Sequence, residues 1–320
     1  QVAPESAPRL DRLDPELLRD RGVFQPRPPV SRSGDDQPGK SRWRARLQET
    51  VAFHLCHPQP LAATGTPAAT GAPAAVPVNT DYPGTQTHCF DLETSAAIQA
   101  AVARSGANLN DVALALLFRV LAAWQAERSP GGHVGNLRIL MPADLRERRD
   151  ARLPAANRMS LCFILRRAEQ CRSWIELLAG LQQETRYIKQ SRLGLDLLGG
   201  LGLVSKLPAA LKLAMSFPRC QATAVLTNMS DPTRAFRHKF PRDGGRLVIG
   251  NLTLERITGS PPLRPRTRAG FGIGVYAGRL VLNLKCDPWL FTSAETHTLL
   301  GSYLAAWQAF AAGAQHAPQL

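Results

Sequence analysis

The stretch GANLNDVALALLFRVLAAW, residues 106–124, decides how the rest of the chain is interpreted. It places Asn108, Asn110 and Asp111 directly before a long run of Ala, Val, Leu, Phe and Trp. An Asn at a helix N-cap and an acid three residues later satisfy free backbone N–H groups and suit the positive end of the helix dipole. The pattern therefore predicts a buried helix over 109–127. It accounts for Asn108 and Asp111 and leaves Asn110 without a structural role.

Further helices and strands are predicted on both sides of this helix. Strands are expected at 87–92, 136–142, 158–167, 222–228, 246–257 and 269–287, and helices at 94–106, 173–190 and 291–313. The segment 269–287 is expected to form two strands around an Ala277-Gly278 turn, and Thr292 and Glu295 form a capping box. Helices and strands in mixed order indicate an α+β fold, a two-layer sandwich with a mixed and largely non-parallel sheet.

The composition divides the chain into three parts. Residues 1–60 begin with a Pro-, Arg- and Asp-rich stretch and carry two short predicted helices, at 14–22 and 43–57. Residues 61–84 are rich in Ala, Pro and Thr, which is typical of a linker. Residues 85–313 hold the regular pattern of helices and strands and are the predicted folded unit.

The chain is strongly basic. Its 39 Lys+Arg against 25 Asp+Glu give a net charge of +14 in 320 residues. Such an excess suits an anionic partner, namely nucleic acid, an anionic membrane surface or an acidic or phosphorylated ligand; an Arg-rich composition without functional meaning is the alternative. The charge is spread along the chain, without a Lys/Arg block or interleaved aromatic residues, and this argues against a nucleic-acid binder.

The six cysteines show no C-x-x-C and no regular spacing. A chain of this length has no need of disulfides, so isolated buried thiols in a reducing, cytoplasmic compartment are expected. The sequence shows no signal peptide and no run of about 18 uncharged apolar residues. Its most apolar window, 193–204, is short and Gly-broken, but with Lys206 and Lys212 after it contact with an inner membrane surface is compatible with the sequence.

Several well-known motifs are absent from the sequence. It contains no G-x-S-x-G, no P-loop and no H-E-x-x-H. GIGVYA, 272–277, fits the loose G-x-G-x-x-A form, but it runs from strand to turn to strand, where a dinucleotide site needs a helix. Gly272 and Gly274 are instead expected to let another backbone segment or a ligand approach the strand. His54 and His57 lack a third ligand nearby, so no metal site is predicted.

Five stretches follow one another in a characteristic order: GANLNDVALALLFRVLAAW, LRILMPADLRER, LPAANRMSLCFILRR, ATAVLTN and FGIGVYAGRLVLNLKCD. Their order and spacing resemble the condensation-domain-like, CoA-dependent acyltransferase superfamily, which includes chloramphenicol acetyltransferase and peptide-synthetase condensation domains. The closest likeness in motif is to the bacterial wax ester synthase/diacylglycerol acyltransferases. The resemblance covers roughly 85–312 and implies a chloramphenicol-acetyltransferase-like C-terminal lobe. Residues 1–60 would then be the remnant of an N-terminal lobe or its crossing segment.

The resemblance also implies a set of site residues. In this superfamily a tunnel runs between two lobes, and the helix that bears the Asn-Asp motif belongs to the second lobe. The residues expected to line or organise that tunnel and the interface between the lobes are Asn110, Asp111, Asn157, Arg158, Asn228, Gly272 and Gly274. From charge alone, Arg158 is a candidate ion-pair partner for Asp111 or Asp144.

The sequence departs from the superfamily at the catalytic motif. The family chemistry depends on H-H-x-x-x-D-G, in which the second His removes a proton from an alcohol or amine that attacks a thioester carbonyl. No such motif occurs here. In RHKFPRDGG, Arg237 replaces the first His, and His238 stands five residues before Asp243, one more than the motif requires. The sequence therefore predicts no catalytic residue within these 320 and little or no turnover by the chain alone.

Two explanations for the missing motif stay open. The chain is either the C-terminal two-thirds of an enzyme whose His motif lies upstream of Gln1, which the missing initiator Met favours, or a member that binds without catalysis. The expected function is transfer of an acyl group from acyl-CoA or an acyl carrier protein to an alcohol or amine. The alternative is a non-catalytic module that binds CoA or a carrier protein. No cofactor beyond the thioester substrate is expected.

Overall fold

A computed structural model describes residues 56–63, 84–129, 132, 134–144, 159–191, 220–234, 239–263 and 266–313. The predicted helix at 14–22, most of the one at 43–57, most of the linker and the apolar window 193–204 lie outside these residues. Of the candidate site residues, Asn157 and Arg158 lie outside them too.

Strands and helices alternate irregularly along the described part of the chain. The strands are β1 (Thr85–Cys89), β2 (Leu137–Asp144), β3 (Met159–Arg166), β4 (Ala224–Ser230), β5 (Arg242–Asp243), β6 (Arg246–Ile249), β7 (Leu252–Thr253), β8 (Ala269–Tyr276) and β9 (Arg279–Cys286). The helices are α1 (Leu92–Arg104), α2 (Leu109–Arg128), α3 (Trp174–Ser191) and α4 (Ser293–Ala311), with a 3₁₀ turn at Ala168–Cys171. The predicted α+β class is confirmed.

Six of the strands form one mixed sheet in the order β1-β9-β8-β4-β2-β3. β4 runs parallel to both β2 and β8, and the other pairs are antiparallel. The C-terminal ends of β2, β4 and β8 therefore meet at one edge, which we call the carboxyl edge (residues 141–144, 228–230 and 274–276). The opposite edge, where these three strands begin, is called the amino edge.

Helix α2 forms the centre of the core. Leu114, Leu117 and Leu121 have no exposed surface, and the helix packs against α3 and α4. The hydroxyl of Tyr303 on α4 donates to the Ala113 carbonyl at 3.0 Å. The helix is long and apolar enough to cross a membrane, but most of its surface is buried inside the fold, as expected of a core helix.

The local signals in the sequence place the ends of the elements correctly. The Asn108 side chain accepts the N–H of Asp111 at the start of α2, and Gly106 adopts a φ of +67° just before it. Thr292 and Glu295 form the predicted capping box of α4. Ala277 and Gly278 have φ values of +48° and +78° in the turn between β8 and β9. Each of these predictions is confirmed.

One predicted strand is wrong. The alternation over 246–257 indicates a single long strand, but the chain reverses at Gly250, with φ +64°, and Asn251. β6 and β7 pair across this turn, and β5 joins them in a small three-stranded sheet. Gly-Asn is a favoured two-residue hairpin turn, and this local preference outweighs the alternation on either side of it.

The two faces of the main sheet differ. The face toward the helices is filled by large side chains such as Phe271 and Ile273 of β8. On the second face, β8 presents Gly270, Gly272 and Gly274, and the chain's own residues 259–263 closely approach the first two of these. A Cβ added at Gly270 would lie 2.8 Å from Pro261 Cγ.

Residues 56–63 pack along the amino edge. The guanidinium of Arg138 donates to the carbonyls of Cys56 and Gln221, and that of Arg268 donates to the Leu61 carbonyl at 2.7 Å. Leu61 is fully buried. The first residues of the predicted linker, 61–63, thus lie against the folded unit. We call residues 56–63 the strap.

All six cysteines are free thiols; Cys162, Cys171 and Cys286 are buried, as expected, whereas Cys56, Cys89 and Cys220 are only partly buried. Burial raises the pKa of Cys171 and of Cys286 to about 12, far above the range in which a thiol becomes a nucleophile at neutral pH. These two thiols fill space in the core.

Candidate functional site

Candidate residues from three elements lie at the carboxyl edge. Asn228 lies at the end of β4, Gly274 lies at the end of β8, and Asn110 in the first turn of α2 contacts Met141 at the end of β2. Open sheets with parallel strands commonly bind ligands at the carboxyl ends of those strands. This edge is the candidate functional site.

Asp111 is held deep inside the fold. It is 3% exposed, its Oδ1 accepts the hydroxyl of Thr185 at 2.8 Å, and its Oδ2 accepts the side-chain amide of Asn108 at 2.6 Å. Burial raises the pKa of Asp111 above its ordinary value, against the opposing effects of the Thr185 hydrogen bond, the charge of Lys189 and the bonds from Asn108. In this structure Asp111 joins α2 to α3.

Arg158, the ion-pair partner suggested by charge, lies outside the described residues. Both oxygens of Asp111 already accept hydrogen bonds, from Thr185 and Asn108. The role of Thr185 as a partner of Asp111 was not predicted from the sequence, although the sequence contains an indication of it. Thr185 lies between Leu181 and Ile188 on the buried stripe of α3, where a polar residue requires a partner.

Asn110 carries a weakly bonded amide. Its Nδ2 donates to the thioether sulfur of Met141 at 3.1 Å, and the residue is half-buried. A thioether is a weak acceptor, so this amide keeps most of its capacity to bind a better one. The helix cap does not use Asn110, and this residue is the polar group of the opening stretch that faces the edge.

Asn228 shapes the end of β4. Its Oδ1 accepts the N–H of Ser230 at 2.8 Å, and Ser230 has a φ of +51° beside an irregularity in the pairing with β8. Through the alternation of β4, Asn228 lies on the same face as the buried Leu226, which is the helix face. Asn110 and Asn228 therefore approach the edge from the same side of the sheet.

Gly272 and Gly274 lie on the second face, away from the two asparagines. A Cβ added at Gly272 would lie 3.1 Å from the Gly259 carbonyl oxygen, and one at Gly274 would lie 3.6 Å from Met229 Cε. Of the two expected neighbours, another backbone segment or a ligand, the structure shows the backbone segment at Gly272.

Histidines and metal ligands do not gather at this edge among the residues that the structure describes. No group of three or more His, Cys, Asp or Glu that could hold a metal ion occurs in the described ranges. His54, His133 and His238 lie outside those ranges. His88, on β1, packs its ring edge-on against Phe90 at 4.8 Å, and burial lowers its pKa.

Comparison with known proteins finds similarity in structure alone. No protein-family model and no curated protein matches the sequence. A trichothecene 15-O-acetyltransferase from Fusarium sporotrichioides aligns with a TM-score of 0.55 at 12% identity, over 87% of this chain and 54% of that chain. The first condensation domain of the calcium-dependent antibiotic synthetase aligns with a TM-score of 0.52 at 13% identity, over 98% and 57%.

A four-domain nonribosomal peptide synthetase bound to AMP and glycine aligns with a TM-score of 0.54 at 15% identity, over 90% of this chain and 20% of that chain. The chain thus spans between 20% and 57% of the length of these three structures. At such low identity the likeness concerns the fold, since one fold hosts many functions. The chain has a condensation-domain-like fold, with the mixed α+β architecture of the chloramphenicol-acetyltransferase-like proteins.

Proposed function

We propose that this chain is part of an acyltransferase-type protein that moves an acyl group from a CoA or carrier-protein thioester to an alcohol or amine. In this proposal the described lobe forms one wall of the thioester site. The general base comes from residues outside these 320, because the sequence contains no H-H-x-x-x-D-G.

The observation that carries the proposal is the pair of side-chain amides at the carboxyl edge. The Nδ2 of Asn110 donates to a weak acceptor, and Asn228 accepts the Ser230 N–H through its Oδ1, which leaves its Nδ2 to donate to a ligand. Amide donors in a partly buried site stabilise the negative charge that develops on a carbonyl oxygen during acyl transfer. A thioester carbonyl at this edge is the group that they suit.

The overall charge supports a thioester on an acidic carrier. At a net +14, the chain complements the phosphates of CoA and an acidic carrier protein. The similarity to a multidomain peptide synthetase is consistent with a carrier-protein partner. None of these observations concerns the acceptor; an alcohol or amine is proposed only because it is the acceptor in the acyltransferase superfamily that the sequence resembles.

Turnover and binding are tested together. We expect the chain, mixed with acyl-CoA and long-chain alcohols, to form little or no ester, and isothermal titration calorimetry to detect saturable, salt-sensitive binding of CoA. Asn110→Ala and Asn228→Ala should each weaken the binding of an acyl-CoA by about fivefold to tenfold, the loss of one hydrogen bond. Asn251→Ala, at the exposed tip of the β6–β7 hairpin, is the matched control. Robust ester formation by the chain alone would refute the proposal that the general base comes from residues outside these 320.

A binding module without catalysis is the second candidate. It shares the fold and the edge, and the absence of the His motif from the sequence favours it. The genomic reading frame upstream of residue 1 separates the two, since an H-H-x-x-x-D-G there supports the enzyme. If no such motif is found and CoA still binds, the binding module is supported.

A further inference from the structure

Two half-buried cysteines lie at the amino edge. Cys56 is the first residue of the strap, and Cys220 precedes the start of β4 at Ala224. The third half-buried cysteine, Cys89, ends β1 at the level of Gly274, close to the carboxyl edge. The other three cysteines are buried in the core. Cys56 and Cys220 are therefore a pair of thiols that share one edge of the sheet and are partly open to a small reagent.

One guanidinium joins the chain segments that carry these two thiols. A terminal nitrogen of Arg138 donates to the carbonyl of Cys56. The other terminal nitrogen donates to the carbonyl of Gln221, the neighbour of Cys220, at 3.3 Å. Burial lowers the pKa of Arg138, and the negative charges that the two thiols carry when ionised oppose this shift. Both sulfur atoms thus lie within electrostatic range of the same side chain.

A second contact shows how the two segments run. The hydroxyl of Thr223 donates to the carbonyl of Gln59 at 2.8 Å. Gln59 lies three residues after Cys56, and Thr223 lies three residues after Cys220. The strap and residues 220–223 therefore run side by side in the same direction, and the two cysteines hold equivalent positions in them.

We propose that Cys56 and Cys220 form a reversible disulfide that fixes the strap to the segment before β4. The oxidant is a low-molecular-weight disulfide such as oxidised glutathione. The thiolate of Cys56 attacks one sulfur of this reagent and releases the other as a thiolate. The thiolate of Cys220 then attacks the Cys56 sulfur and releases the second thiolate. Each cysteine gives up one proton, and the two electrons lost by the protein sulfurs reduce the reagent to two thiols.

The surroundings of Cys220 assign it the second step. Burial raises the pKa of Cys220, and the charges of Arg268, Arg138 and Arg266 partly offset this effect. Its S–H donates to the Ala222 carbonyl at 3.1 Å. A protonated thiol is a poor nucleophile, so Cys220 reacts more readily with a sulfur held beside it than with a reagent in solution. The three guanidinium groups stabilise the thiolate when it forms.

The disulfide would change the chain in a way that does not depend on the proposed function. Its formation brings the two Cα atoms to within about 7 Å of each other. It also closes the chain from residue 56 to residue 220 into a loop, which removes conformational freedom from the unfolded state. The strap is then held by a covalent bond in addition to its hydrogen bonds, whatever the carboxyl edge binds.

Mass spectrometry of the whole chain tests the pairing. We expect oxidised glutathione at mildly alkaline pH to give a cross-link between Cys56 and Cys220 within one chain, which dithiothreitol reverses. Cys56→Ser and Cys220→Ser should each abolish this cross-link. Cys89→Ser, near the opposite edge, is the matched control and should leave it unchanged. Glutathione attached to either thiol without a cross-link, or a cross-link between different chains only, would overturn the inference.

Two further measurements show whether the disulfide fixes the strap. Oxidation should raise the Tm by about 5–10 °C in the unsubstituted chain and in Cys89→Ser, but not in Cys56→Ser or Cys220→Ser. Hydrogen exchange at residues 59–63 should slow by about tenfold in the same two proteins. A cross-link that leaves the exchange of the strap unchanged or faster would show that the thiols meet only when the strap is detached, and this would also overturn the inference. CoA binding is measured separately, so either proposal can fail alone.

Discussion

At the scale of single residues, Asp111 shows how one side chain serves two structural purposes. The sequence explains it as part of a helix cap, and the structure adds a second helix through Thr185. Its carboxylate is buried at 3% exposure, and three kinds of favourable interaction do not fully offset the loss of water. The raised pKa of Asp111 therefore reflects its burial at the contact between α2 and α3, where its role is structural.

Asp111→Asn tests that balance through the pH dependence of stability. The variant should lose about 1–3 kcal/mol of unfolding free energy, because an amide has one oxygen and cannot replace both carboxylate oxygens that accept from Thr185 and Asn108. A folded pKa above the ordinary value of 3.8 means that the native state binds more protons, so the contribution of Asp111 grows as the pH falls through that pKa. The deficit of the variant, measured by urea unfolding, should increase as the pH falls from 7 toward 4.

Asp91→Asn is the matched control with the opposite sign. The exposed Asp91 caps α1, and its hydrogen bond from the backbone of Thr94 lowers its pKa. Its contribution is present above the ordinary pKa and is lost as the pH falls through the lowered one, so its deficit should shrink at acid pH. If the stability deficit of Asp111→Asn also shrinks at acid pH, the pKa of Asp111 is lowered, and the effects of Thr185 and Lys189 on that pKa outweigh the effect of burial.

At the scale of elements, strand β8 is built differently on its two faces. Phe271 and Ile273 fill the core under the helices, and the residues that alternate with them, Gly270, Gly272 and Gly274, are glycines. Gly270 and Gly272 make room for residues 259–263 to cross the strand closely. The alternation of the strand thus separates a packed face from a face that accepts another segment of chain.

Gly272→Ala and Gly301→Ala should change stability in opposite directions. A methyl group at Gly272 would lie 3.1 Å from the Gly259 oxygen and 3.4 Å from Asn283 Cβ, and the strain should cost about 1–3 kcal/mol. A methyl group at Gly301, in α4, meets nothing within 4 Å and should add about 0.5–1 kcal/mol through helix propensity. The melting temperatures of both variants, measured by thermal unfolding, test these two predictions. A neutral Gly272→Ala would mean that residues 259–263 can move away.

The elements also show what could be predicted from the sequence. The caps at Asn108 and Thr292 and the turn at Ala277 are local features, so a few neighbouring residues in the sequence determine them. The bond from Thr185 to Asp111 joins residues 74 positions apart, and the strand order of the sheet has the same non-local origin. Asn110 and Asn228 were proposed from a resemblance to a family; their positions on one side of the sheet needed the structure.

At the scale of the whole molecule, the strap joins the part of the chain before the linker to the folded unit. The side chain of Gln125, fully buried at the end of α2, accepts the N–H of Ala62 and donates to the carbonyl of Pro60. The indole N–H of Trp124 donates to the Ala62 carbonyl at 2.9 Å. Three neutral hydrogen bonds and the buried Leu61 fix the course of this segment.

Gln125→Leu should release the strap. Both backbone groups of the strap would lose their partners in a buried site, at a cost of about 1–3 kcal/mol. Hydrogen exchange at residues 59–63 should accelerate more than exchange in α2 itself. Gln99→Leu, on the exposed side of α1, is the control and should leave exchange in the strap unchanged. Equal acceleration across the whole chain would instead indicate global destabilisation.

The position of the strap sets a distance that any preceding polypeptide has to cover. Arg138, which holds the strap, and Asp144, at the opposite end of the same strand, are six residues apart, or about 20 Å in extended backbone. A histidine supplied from upstream would have to pass the full height of the sheet to meet the asparagines. Residues 1–55 precede the strap and, extended, could span far more than this distance, so the length of the chain does not restrict which upstream sequences can complete the site.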